Sequence, residues 1–247
     1  MNPGDMKPTV GLFVTCLVDL VRPQIGFSAV KLLEQAGCEV HVPSAQTCCG
    51  QPAWNSGAGR HAAGIARQVI AAFEGFDYVV APSGSCAGML HKHYPEVLAH
   101  DAEWLPRARA LAAKTHELIS FLVNVRGFAR ACDASRACYH DSCSSLREMG
   151  VKDEPRRMLA GLTELQAPQM CCGFGGLFSV KYPEISARMA DDKIADARAT
   201  GADTLIGADL GCLLHLAGRM ERQGKPLVVR HIAEVLAGDA GPALGEP

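Results

Sequence analysis

An excess of charge of one sign is missing from this sequence: 24 lysines and arginines stand against 26 aspartates and glutamates, a formal net charge of −2. A nucleic-acid partner would call for a basic excess, and an interaction tail for a run of like charge, so neither is expected. Long apolar runs are missing too. No stretch nears the roughly 18 residues that would read as a membrane span. Met1 to Val10 carries turn signals at Pro3-Gly4 and Pro8 instead of the apolar core of a signal peptide, so a cytoplasmic protein is expected. No GxGxxG follows an apolar run, which leaves a dinucleotide site unsupported. Nothing points to a flavin either.

Cysteine is what the chain has in quantity: 11 in 247 residues. A reducing compartment disfavours disulfides, and a chain of this length can bury a core without them. The count is odd, so complete internal pairing is impossible. Thiolates as metal ligands are the better reading if their placement is regular.

Their placement is regular. Cys48-Cys49-Gly50 is matched by Cys171-Cys172-Gly173. Each doublet has one cysteine upstream, Cys16 or Cys143, and one downstream, Cys86 or Cys212. The spans from first to last cysteine are 70 and 69 positions. The same order over nearly the same length marks an internal duplication.

The flanking patterns repeat as well. In the first half, apolar runs at Val10–Thr15, Glu39–Val42 and Tyr78–Ala81 read as short strands. Helical patterns at Ile25–Ala36, His61–Phe73 and from Gly88 to His93 alternate with them. In the second half, strands are expected at Ala137–His140, Thr163–Leu165, Thr204–Gly207 and Pro226–Val229. Helices are expected around Pro155–Leu159, at Ile185–Ala199 and at His231–Leu236. Alternating strands and helices predict an α/β fold: two tandem cysteine-rich units, each a small, mainly parallel sheet flanked by helices. The expected boundaries are 1–105 for the first unit, 106–130 for a helical connection and 131–247 for the second.

In parallel sheets ligand-bearing loops gather at the carboxyl ends of the strands. All eight motif cysteines follow predicted strand ends, so each set of four should converge on one edge of its own sheet. Four thiolates from three loops suit a 4Fe–4S cubane or a structural zinc ion. Zinc knuckles use close CxxC pairs, and the only close pair here is the doublet. Adjacent cysteines reach two metals of one cluster more readily than two corners of one tetrahedral ion. Gly50 and Gly173 would let backbone N–H groups approach cluster sulfur. Glycines at such places also serve as plain turn residues.

Together these segments resemble the CCG-domain, or cysteine-rich domain, proteins. That family includes the CCG-bearing component of heterodisulfide reductase and the iron–sulfur subunits of glycolate oxidase and of the lactate utilisation system. PSGSCAGM (Pro82–Met89), YHDSC (Tyr139–Cys143), CCGFGGLFS (Cys171–Ser179) and DLGC (Asp209–Cys212) look most like the last of these. The resemblance implies one or two 4Fe–4S clusters on Cys16, Cys48, Cys49, Cys86, Cys143, Cys171, Cys172 and Cys212. It implies an electron-transfer subunit, without flavin, of a complex oxidising L-lactate or a similar 2-hydroxy acid. Its companions would be a ferredoxin-like iron–sulfur subunit and a small subunit. The family pattern closes each unit with CxxC and carries a histidine after the first cysteine of the second unit; this chain has Ser83, Asp209 and Ser144 at those places. Four cysteines per unit suffice for a cubane and favour electron transfer over disulfide chemistry. A heterodisulfide-reductase-type subunit and a zinc-stabilised, non-redox subunit are the alternatives.

Some residues stand outside the repeat. Cys38, Cys132 and Cys138 are expected as ordinary thiols, Cys138 having a minor claim to be a ligand. His140 should pack near the second site or hydrogen-bond to it. Trp54 should cover the first doublet, and His231 is expected to be structural.

Overall fold

The computed structural model describes residues 7–128, 130–239 and 241–245. The turn signal at Pro3-Gly4 lies outside them. The chain divides into two compact units, Met1–Phe128 and Ala129–Pro247.

The first unit is built on a four-stranded parallel sheet of β1 (Thr9–Leu12), β2 (Glu39–His41), β3 (Tyr78–Ala81) and β4 (Thr115–Glu117), in the order β2-β1-β3-β4. Its central strands are short apolar runs because helices cover both faces of such a sheet. Helix Gly59–Phe73 shows how the cover is made. Ala62, Ala66, Val69, Ile70 and Phe73 recur at three- and four-residue intervals and are all buried.

The second unit holds a two-stranded parallel pair, β5 (Cys132–Asp133) with β7 (Leu159–Ala160). Its main sheet runs β6 (Ala137–His140), β8 (Thr204–Gly207), β9 (Val228–His231), also parallel. On the free edge of β6, Thr163 forms a single parallel bridge to Cys138. With Thr163 counted, the second unit repeats the strand order of the first. The strand expected at Thr163–Leu165 has shrunk to that bridge.

The segment 106–130 differs from the expected helical connection. Helix Trp104–Ala113 leads into β4, which completes the first sheet beside β3. The division between units falls after Phe128. Thr115-His116-Glu117 is too short and too polar to announce a strand by pattern, and it pairs because β3 presents an open edge. Among the described residues, no helix is long and apolar enough to cross a membrane.

Candidate metal centre

Each unit brings its four motif cysteines to the carboxyl edge of its sheet. Cys16 opens helix Cys16–Val21 after β1, and Cys143 opens helix Cys143–Arg147 after β6. Cys86 lies in helix Gly84–Gly88 after β3, and Cys212 in helix Leu210–Arg222 after β8. The doublets occupy the loops between. In the first unit the loop follows β2; in the second it follows the Thr163 bridge.

The doublets share one local geometry. Gly50 and Gly173 have φ of 85° and 88°, in the left-handed region that glycine enters without strain. That turn aims each glycine N–H back at the sulfur two residues earlier. Gly50 N donates to Cys48 Sγ at 3.4 Å, and Gly173 N to Cys171 Sγ at the same distance. Phe174 N also donates to Cys172 Sγ at 3.4 Å. The one non-glycine residue with positive φ among those described is Thr15, at 76°, directly before Cys16. Its hydroxyl accepts from Val18 N at 3.3 Å and caps the helix that carries the cysteine.

The sulfurs of each unit form a linked series. Cys48 accepts from the thiols of Cys16 and Cys49, and these contacts hold its pKa far below that of an ordinary thiol. The same contacts push Cys16 and Cys49 upward, with burial adding to the effect. In the second unit Cys171 takes the depressed role between Cys143 and Cys172, and Cys172 in turn reaches Cys212. Four thiolates this close repel one another, so the set can ionise fully only around a compensating cation. The donor chemistry fits a metal or iron–sulfur group held by each set of four.

Exposure is distributed alike in the two units. Cys49 and Cys86, and their counterparts Cys172 and Cys212, are buried. Cys16 and Cys48, and their counterparts Cys143 and Cys171, are partly open to solvent. A cleft of about 310 Å³ lies against Cys16 and Cys48, bordered by Thr15, Asp19, Leu20, Val42 and Gln46.

Several supporting residues gave no signal in the sequence. The buried Tyr94 hydroxyl donates to the Cys49 carbonyl at 2.9 Å. In the second unit the fully buried Lys193 donates through Nζ to the carbonyls of Ala167 and Pro168 at 3.0 and 3.4 Å. Asp196, one turn along the same helix, accepts from Gln166 N and Ala167 N, both at 2.9 Å. Together they pin the loop entering the second doublet. Arg156 clamps Asp141 with two hydrogen bonds of 2.9 and 2.8 Å. Helical periodicity marks Lys193 and Asp196 only as charges on a helix face; nothing in it tells that they turn inward.

His140 ends β6 beside the second site. Its ring is buried, and one of its nitrogens lies within 4.8 Å of both Cys172 Sγ and Cys212 Sγ. Neither nitrogen has a hydrogen-bond partner within the protein. Leaving such a group unpaired in the interior costs on the order of 1–3 kcal/mol. Burial, reinforced by the Lys193 charge, lowers its pKa to about 3, so the ring is neutral.

The remaining residues fall away from the sulfur sets. Cys38 is buried in the first unit. Cys138 is buried on β6 with its sulfur 3.7 Å from the Thr204 carbonyl, and Cys132 lies 4.0 Å from that of Val235. Trp54 sits in the short helix after the first doublet, its ring 6.3 Å from that of His93. His231 caps the last helix by accepting from Ala233 N at 3.2 Å. Ser83, standing where the family has a cysteine, is buried and shares a hydrogen bond with Ser85 at 3.0 Å.

Comparison with known proteins agrees with this duplicated arrangement. A family model described as a cysteine-rich domain, CCG, matches twice, over residues 10–91 and 137–217. The chain is 52% identical over 234 residues to lactate utilization protein A of Geobacillus kaustophilus, covering 92% of this chain and 98% of that one. It is 47% identical over 235 residues to lactate utilization protein A 2 of Bacillus cereus, covering 92% and 97%. A lactate utilization protein A 1 of Bacillus anthracis is 46% identical over 235 residues, with the same coverage. The chain thus belongs to the CCG cysteine-rich domain family, with one copy of the domain in each unit.

Proposed function

We propose that this chain is a cytoplasmic iron–sulfur subunit that passes electrons within a complex oxidising L-lactate, or a closely similar 2-hydroxy acid, to the keto acid. The observation that carries this reading is the linked series of four cysteines in each unit, with the same two members facing solvent. In the first unit Cys16, Cys48, Cys49 and Cys86 would hold one 4Fe–4S cluster; in the second Cys143, Cys171, Cys172 and Cys212 would hold another. Such a cluster, when bound, accepts and releases one electron at a time.

The protein's own groups then have defined tasks. Gly50 and Gly173 N–H groups donate to cysteine sulfur and favour the more negative charge state. Cys49, Cys86, Cys172 and Cys212 are shielded from water, whereas Cys16, Cys48, Cys143 and Cys171 form an edge through which an electron can leave. Exposed apolar side chains lie nearby. Leu20, Val21, Phe27 and Val42 are exposed in the first unit, and Leu20 and Val42 border the cleft at Cys16 and Cys48. Val180, Tyr182 and Ile185 are exposed after the second doublet. Such side chains suit docking by companion subunits, a ferredoxin-like iron–sulfur protein and a small subunit. The names of the relatives supply lactate as the electron source.

A second reading has one observation in its favour. His140, Cys172 and Cys212 offer ligand atoms within 4.8 Å of one another, close enough for a single zinc ion in the second unit.

The test is iron, sulfide and zinc analysis of the anaerobically purified chain, followed by lactate-driven reduction with its companion subunits. About eight irons and eight sulfides, bleaching on addition of lactate, are expected. Zinc without sulfide after anaerobic reconstitution would end the electron-transfer reading.

A further inference from the structure

The two sites match in their cysteines but differ in their neighbours: Ser83 of the first stands where the second has Asp209, and Phe13 stands where the second has His140. Phe13 stands three residues before Cys16, and His140 three residues before Cys143. Sheet register makes the same equation. Phe13 follows Leu12, the partner of Val80, and so stands level with Ala81; His140 pairs with Gly207. Ala81 and Gly207 each precede the last cysteine of their unit by five positions. The Phe13 ring is buried against Phe73, with ring centres 5.6 Å apart. The His140 ring carries two nitrogens that nothing in the protein satisfies, one of them close to Cys172 and Cys212.

We propose that His140 donates its ring N–H to sulfur at the second four-cysteine site and so raises the reduction potential of the cluster held there. This rests on the cluster reading given above. An imidazole ring carries an N–H whether neutral or charged, and sulfur bearing negative charge is the acceptor within reach. A donor to cluster or cysteine sulfur stabilises the reduced form more than the oxidised form and so raises the potential. All four cysteines are present in the second unit, so iron needs no fifth ligand from the imidazole. Phe13 offers no donor.

The experiment is a redox titration followed by electron paramagnetic resonance on the anaerobically purified full chain. Wild type is compared with His140→Phe, which copies the first unit, and with His140→Gln, which keeps a donor. Cys49→Ala in each background removes the first cluster and assigns the signals. The expected result is full iron content in both histidine variants, a lower midpoint for the second cluster in His140→Phe and a smaller shift in His140→Gln. The first cluster should not move. An unchanged second midpoint in loaded His140→Phe overturns the proposal, and so does loss of about half the iron, which would make His140 a ligand. Should His140→Phe fail to fold, nitrogen couplings in wild type labelled with ¹⁵N-histidine decide. A weak coupling supports donation, and a strong one means direct ligation. A wild-type second unit without iron and sulfide overturns the cluster reading itself, whatever His140 does.

Discussion

The Tyr94 hydroxyl reaches from the helix beyond Cys86 to the carbonyl of Cys49, 45 positions earlier, and donates to it at 2.9 Å. It ties the buried half of the first doublet to the segment that carries the last cysteine of the same set. Burial, with the thiols of Cys49, Cys86 and Cys48 nearby, pushes the phenol well above its ordinary pKa, so it remains a donor. Tyr94→Phe leaves the carbonyl unpaired at nearly constant volume. A loss of about 1–3 kcal/mol is expected in denaturant unfolding, with faster loss of iron from the first unit. Unchanged stability would mean that the carbonyl finds another donor.

The doublet glycines should differ in their tolerance. Both Gly50→Ala and Gly173→Ala put a side chain at positive φ, at a cost of about 1–2 kcal/mol. A Cβ on Gly50 would meet the Ile65 side chain at 3.2 Å, which can yield. A Cβ on Gly173 would come within 2.5 Å of the Ser186 backbone oxygen, which cannot yield without moving its helix. Gly173→Ala is expected to be the more destabilising in thermal unfolding and to empty the second site, whereas Gly50→Ala keeps iron in the first.

Cysteine substitutions separate the sulfur sets from the bystanders. Cys49→Ala is expected to lower iron from about eight to about four per chain with the fold kept. Cys138→Ala removes a buried thiol that lies against the Thr204 carbonyl and the Thr200 side chain, and iron should stay at the wild-type value. Equal iron loss in both variants would contradict the assignment of ligands.

A pH dependence follows from His116, in the middle of β4. Burial, with a smaller contribution from His91, lowers its pKa below the ordinary 6.5. Below that value the unfolded chain takes up a proton that the folded chain refuses. Stability therefore falls as the pH drops from about 7 toward the depressed folded pKa, and is fully present above 6.5. His116→Phe suits a ring already packed 5.6 Å from Phe121 and 5.8 Å from Tyr78. Between pH 7 and pH 5 the variant should lose less stability than wild type in urea titrations, and equal losses would contradict this.

The sequence alone determined the duplication, the parallel α/β character and the regular placement of the eight motif cysteines, because each is written in local pattern. Apolar runs at Tyr78–Ala81 and Thr204–Gly207 coincide with β3 and β8. Cysteine spacing needs no knowledge of packing to be seen. Local pattern failed where an element exists only through its neighbour. Thr115-His116-Glu117 is a strand because β3 leaves an edge open, and the region after Thr163 remains a single bridge because little beyond it pairs. Tertiary structure alone decided what surrounds the sulfurs. Lys193 and Asp196 look like surface charges on a helix until the loop of Gln166 to Pro168 folds over them and takes their hydrogen bonds. His140 and Phe13 fall at matching places in the repeat, but only the fold shows that the His140 ring is buried without a partner beside Cys172 and Cys212. The physical reason is the same in each case. Metal-ligand types and apolar periodicity are properties of a segment, whereas desolvation and hydrogen-bond satisfaction are properties of everything packed around it.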